Sequence, residues 1–255
     1  MGLFIVEIDL KSKSPTTVEN GDVIVDKGYD TVTVRNVEAD THVNAEKKAW
    51  PKANDFLNEL SWQYGIHLEL GSDSTIDLQK SPATRHLNRI YIKNSLKGWH
   101  RKKIPHKLSE VIIKPSDSKA YYRRAAKSQD PFDKFRNLYL AIENVSSKIA
   151  IKKGEKGLSE LRLLEVALRE CFSSNVHILK DYSNIRSSEH EGDIIAEVAH
   201  LLYRGRRCQL NHSKENEDKK VPYNSEDEWE VTSVLPLTEY VAHSFLSFEH
   251  SHLLP

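Results

Sequence analysis

From Asp130 onward, Phe132, Phe135, Leu138, Tyr139, Ile142, Val145 and Ile149 recur at the helical period, and this apolar stripe constrains the fold of the chain more than any other feature. Large side chains at i, i+3, i+4 and i+7 lie on one face of a helix, and a stripe of this width must be buried against other elements. Asp130 can accept hydrogen bonds from the exposed first turn, Pro131 occupies that turn without wasting a donor, and Asp133 complements the helix dipole. The spacing therefore predicts a long core helix ending before Gly154. Upstream the punctuation is different, so the chain divides into 1–117 and 118–255.

The second part continues in helices. Leu161, Leu164, Leu168 and Phe172 predict a helix over about 159–172, followed by a short one at 176–182. A third strong helix is expected from about Gly192 to Leu210, with Ile194, Ile195, Val198, Leu201 and Leu202 toward a core and Tyr203 at its edge. Asn211 to Ser225 is polar, broken by Pro222, and reads as a loop. A last helical region follows with Glu226, Asp227 and Glu228 in its first turn; Pro236 either kinks it or starts a separate terminal helix. The expectation is a bundle of four or five helices.

The first part alternates apolar and polar residues over Leu3–Leu10, Val23–Val25 and Thr31–Val37, which predicts strands. A helix is expected from Asn44 to Tyr64 on Trp50, Phe56, Leu57, Leu60 and Tyr64, with Pro51 kinking it or marking its first turn. Further strands are expected at Ile66–Leu70, Arg89–Ile92 and Val111–Ile113. The fold class is thus α+β: an N-terminal mixed α/β module followed by an all-α bundle.

Composition narrows the function. The 255 residues are 38% apolar, which is too much for a disordered chain, and 37 basic residues balance 37 acidic ones, so any attraction to nucleic acid must be local. Cys171 and Cys208 lack CxxC spacing and fit a reducing compartment, which makes the cytoplasm the expected location. No run approaches the roughly 18 apolar residues of a membrane span, and the N-terminus lacks a basic leader pattern. His243, His250 and His252 make a poor metal set, because the last two sit at i and i+2 and point apart on a helix. No Gly-rich phosphate loop is present, and neither a cofactor nor a metal is expected.

The chemistry-bearing segment is Arg207-Cys208-Gln209-Leu210-Asn211-His212 at the end of the third strong helix. Arginine holds charge at any physiological pH, and histidine exchanges a proton near neutrality. RNA carries its own nucleophile, the 2′-hydroxyl, so these two residues suffice for metal-free cleavage: His212 for proton transfer, and Arg207, with Arg206 or Arg204 beside it, for the phosphate oxygens. Residues five apart on an α-helix lie about 140° apart, so the pair must meet either through a helix end near Leu210 or across a two-fold dimer.

This segment, with the apolar run Ile194–Tyr203 before it and Phe135–Glu143 on an early helix, resembles the HEPN family. Members of that family are small helical bundles, often dimeric, and often metal-independent ribonucleases marked by arginine, four to six residues, then histidine. Arg207-CQLN-His212 matches that spacing, and Arg206 to His212 also falls within it. The resemblance covers about Asp130 to the C-terminus and is strongest toward methylamine-utilisation-type and defence-associated members. It implies a homodimer whose shared cleft cleaves RNA, with a role as a toxin or in antiviral defence. Glu143 would orient an arginine or the histidine, and Asn211 would support the site. A non-catalytic binding, assembly or accessory role is the alternative, favoured by Cys208 where many active members carry a polar residue.

A basic run containing Trp99, Arg101, Lys102 and Lys103, followed by Tyr121-Tyr122-Arg123-Arg124, combines cations with aromatics. It suits either a single-stranded RNA track or a solvated interdomain link. The N-terminal module is expected to sense a signal or dock a protein partner.

Overall fold

The computed structural model describes residues 2–78, 107–108, 113–182, 193–208, 210 and 224–254. The chain divides into two compact units, Met1–Pro115 and Ser116–Pro255, and its fold class is α+β.

The first unit is a six-stranded sheet with a helix on it. Strands β1 (Gly2–Leu10), β2 (Thr17–Asn20), β3 (Val23–Val25), β4 (Thr31–Ala39), β5 (Leu70–Leu78) and β6 (Lys107–Leu108) stand in the order β5-β1-β4-β3-β2-β6. All pairings are antiparallel except that of β2 with β6. Helix α1 (His42–Tyr64) is capped at its start by the Thr41 hydroxyl, which accepts from Asn44 N, and at its end by Gly65 at φ 65. Its Ala45, Ala49 and Ala53 recur every fourth residue, so small side chains line the buried face beside Phe56, Leu57 and Leu60. Trp50 and Tyr64 pack against the same core from its margin.

The buried positions of β4 are Val32 and Val34, then Val37 and Ala39. The alternation changes phase because β4 spends one more residue than β1 between Phe4↔Val37 and Val6↔Val34. That bulge carries Asn36 at φ 51, a conformation asparagine tolerates better than most residues, and its amide donates to Asp22 Oδ1 at 2.7 Å. A second irregularity lies between Ile8 and Leu10 against β5. There Gly71 lets the backbones approach: a Cβ on it would stand 3.1 Å from Asp9 Cβ and 3.3 Å from Asp9 O. Gly71→Ala is expected to cost about 1–2 kcal/mol, read as a lower urea midpoint; an unchanged midpoint would mean that the strand edge yields freely.

Three expectations for this unit are corrected. Ile66–Leu70 is not a strand: Ile66 and Leu68 are buried as non-strand chain leaving α1, and the strand begins at Leu70. Pro51 lies well inside α1 rather than in its first turn. Strand β2 was too short and polar to be read from its pattern. Arg89–Ile92 and most of Val111–Ile113 fall outside the described residues, and Ile113 itself is not in a strand.

The second unit is helical. Helix α3 (Pro131–Lys152) is its centre, packed against α2 (Asp117–Lys127), α4 (Glu160–Phe172) and α7 (Ser225–His252), with α5 (Val176–Tyr182) and α6 (Ile194–Leu202) alongside. Every member of the Phe132–Ile149 apolar stripe is buried, each burial contributing about 1.5–3 kcal/mol of transfer free energy. Asp130 caps α3, its carboxylate accepting from Phe132 N and Asp133 N. The described residues hold six helices, more than expected, because α2 was read as part of a link. Ser116 caps it, Asp117 opens it, and Tyr122 is buried with its ring edge-on to His243. Helix α7 runs through Pro236 without ending, so there is no separate terminal helix.

A buried polar knot joins α2, α3 and α7. Glu249, with no solvent exposure, accepts from Ser116 Oγ at 2.8 Å on both oxygens and from Lys148 Nζ at 2.5 Å. Ser118 Oγ donates to Asn144 Oδ1 at 2.7 Å beside it.

Among the described residues no helix is long and apolar enough to cross a membrane.

Candidate functional site

Helix α6 buries Ile195, Val198, Ala199 and Leu202, and its chain then widens into a π-helical turn over Tyr203–Cys208. Such turns close i→i+5 and are held only where surrounding contacts favour them, which is often at functional sites. The sequence predicts one α-helix to Leu210; the π turn replaces its last part and carries Arg204, Arg206 and Arg207 on a wider coil.

Arg207 is held from several sides. Its Nη2 lies 3.0 Å from Glu160 Oε2 and donates to Glu160 Oε1 at 3.1 Å, and it is 3.9 Å from Glu143 Oε1. The guanidinium also sits over the Tyr203 ring, 5.5 Å from its centroid, a cation–π contact that fixes its plane. Glu143 comes from the middle of α3 and Glu160 from the first residue of α4, so three elements converge on one side chain. Arg206 instead pairs with Glu230 of α7 at 3.4 Å.

Arg207 stands at a small open cleft of about 60 Å³ lined from α3 by Phe135, Arg136, Tyr139, Leu140 and Glu143. Arg136 is held at 2.7 Å by Asp133. Phe135 and Tyr139 stack, with ring centroids 6.1 Å apart.

Electrostatics follow from this packing. Burial, and then the charge of Glu160, raise the Glu143 carboxyl above its ordinary range, while Arg207 works in the opposite direction. Burial opposes the charge on Arg207, but Glu160 and Glu143 outweigh it, and its proton is held more tightly than usual. Burial and the neighbouring Glu143 likewise raise the Tyr139 phenol. Arg207 is a permanent cation with a fixed orientation.

Among the residues expected to act, Glu143, Arg206 and Arg207 belong to this region, with Glu143 3.9 Å from Arg207. Arg123 and Arg124 lie on α2, not on a link; Arg124 is exposed in its last turn. Tyr122, quoted with them as a stacking aromatic, is buried and unavailable for that purpose. His212, Asn211, Trp99, Arg101, Lys102 and Lys103 lie outside the described residues. Glu160 was missed. A glutamate directly after a capping serine looks like an ordinary dipole partner, and nothing local discloses an arginine 47 positions away.

Both cysteines are free thiols. Burial, and secondarily Glu170, push Cys171 up to about 12, which leaves it protonated and inert.

No curated protein and no solved structure matches the chain. The family model described as Methylamine utilization protein MauJ matches residues 118–247, half of the chain, and the chain belongs to that family.

Proposed function

We propose that the helical unit is a HEPN-type domain that cleaves RNA without a metal, acting in the cytoplasm as a homodimer, in a toxin or antiviral defence role. The family description names methylamine utilization and no reaction, so the chemical reading rests on the site. Its main support is the setting of Arg207, a partly buried cation held by Glu160 and Glu143 at the mouth of a cleft, where an arginine at the end of a late helix was expected.

In this reading His212 takes the proton of the 2′-hydroxyl, the freed oxygen attacks phosphorus, and the 5′-oxygen leaves with the proton that His212 gives back. The products are a 2′,3′-cyclic phosphate and a 5′-hydroxyl. Arg207 stabilises the charge that grows on the phosphorane oxygens, and Glu143 positions it. His212 enters on its spacing from Arg207 alone. The sheet unit Met1–Pro115 is assigned the sensing of a signal or the docking of a protein partner.

The test is cleavage of single-stranded RNA by the full chain in EDTA, with the ends of the products identified. Cleavage to a cyclic phosphate is expected, and His212→Ala should lose about 10²–10⁴-fold in rate while keeping its circular dichroism. Undiminished cutting by that variant removes His212 from the chemistry.

One observation favours a non-catalytic binding or assembly role instead: the arginine is already paired with carboxylate. Full cellular function in both Arg207→Ala and His212→Ala would decide for it.

A further inference from the structure

Among the described residues, Arg207 pairs with two carboxylates, and that excess singles out one of them. Glu160 stands 3.0 Å and Glu143 3.9 Å from the same Nη2, two negative charges against one positive one. A phosphodiester arriving at Arg207 would add another negative charge within a few ångströms of two carboxylates, an arrangement that repels it. For Arg207 to hold a phosphate, one carboxylate has to give way.

Glu160 is the one built to do so. It places both oxygens against Nη2, at 3.0 and 3.1 Å, with Oε1 as the hydrogen-bond acceptor. Oε2 is shut off from solvent with no hydrogen-bond partner among the described residues while the side chain as a whole is 41% exposed, so turning it outward gives Oε2 the hydration it lacks. It is also the first residue of α4, after the capping Ser159, where the positive end of the helix favours a carboxylate whether or not Arg207 is bound. Glu143 lies at 3.9 Å in the middle of α3, where no helix end compensates it.

We propose that Glu160 occupies the phosphate position on Arg207 and is displaced by an incoming phosphodiester, so that it sets the affinity of the cleft for single-stranded RNA. This rests on the reading of Arg207 as a phosphate ligand. A site whose competent state is populated only in part binds more weakly by that fraction, and removing the competitor restores the affinity.

The probe is a fluorescein-labelled 2′-O-methyl oligouridylate, which has no free 2′-hydroxyl and cannot be cleaved, titrated with the full chain at one fixed salt concentration. Glu160→Gln is expected to bind it about tenfold more tightly, equivalent to about 1.4 kcal/mol. Glu160→Asp keeps the charge but shortens the reach to Nη2, and is expected to gain in the same direction by a smaller factor. Glu155→Gln, an exposed carboxylate in the turn before α4, should change affinity by less than about twofold. The gain should vanish when Arg207→Ala is added.

Unchanged or weaker binding by Glu160→Gln, an equal gain in Glu155→Gln or in the Arg207→Ala background, or no binding by any variant overturns the proposal. If the wild type leaves natural RNA intact yet the Arg207-dependent gain appears, the ribonuclease reading falls and displacement stands. Cleavage of natural RNA with a flat response at position 160 gives the reverse.

Discussion

Glu249→Ala is expected to lower the stability of the helical unit by about 3 kcal/mol, a fall of about 10 °C in its melting temperature. Glu249 has no solvent exposure and accepts hydrogen bonds from Ser116 and Lys148, so its loss strips an ammonium and a hydroxyl of their acceptor at once. Breaking a fully buried pair by removing one partner costs about 3–5 kcal/mol; Lys148 is 36% exposed and recovers some hydration, which sets the expectation at the low end. Ser116 is also the cap of α2, its Oγ accepting from Ser118 N, so the effect extends to the fraying of that helix. Adding Lys148→Met should recover part of the loss, because the stranded charge goes with it. A shift below about 2 °C for Glu249→Ala would show that water replaces the carboxylate at little cost.

The sequence disclosed whatever depended on local periodicity and missed what depended on a distant partner. The α3 stripe, its Asp130 cap and the strands β1, β3 and β4 were legible because each repeats its own burial rule within one element. Helix α2 was not. With Lys119, Arg123, Arg124 and Lys127 in eleven residues it reads as a basic link, yet Lys119 is fully buried and stands 3.3 Å from His250 Nδ1, a neighbour 131 positions away. The bulge at Asn36 was hidden for a related reason: the phase break between Val34 and Val37 shows in the sequence, but only the register with β1 distinguishes a bulge from a strand end. At the site, the Arg207 end of α6 was legible from charge following an apolar run, but the π turn and Glu160 were not. The first is a matter of backbone winding, and the second of a contact between helices.

Arg207→Lys is expected to reduce the RNA cleavage proposed for this domain by about 10²-fold while leaving the melting temperature within about 2 °C. The substitution keeps the charge, so a loss would report geometry. The guanidinium presents Nη2 to Glu160 and Glu143 while its plane rests over Tyr203. Once a phosphodiester displaces Glu160, the rigid fork offers two N–H edges to its non-bridging oxygens. A lysine ammonium is a single point on a flexible stem with no second edge to offer, and it does not stack on the Tyr203 ring in the same way. The small expected effect on stability follows from partial exposure: at 21% exposed, with carboxylates that are themselves 34% and 41% exposed, the ion pairs contribute about 1 kcal/mol or less. The measurement is the single-turnover rate in EDTA, which separates the chemical step from product release. If the interaction forms only as charge develops on the phosphorane, the maximal rate should fall and half-saturation should stay nearly constant. A rate within about threefold of wild type would mean that a point charge is enough, and the carboxylate clamp would then serve the fold rather than the reaction.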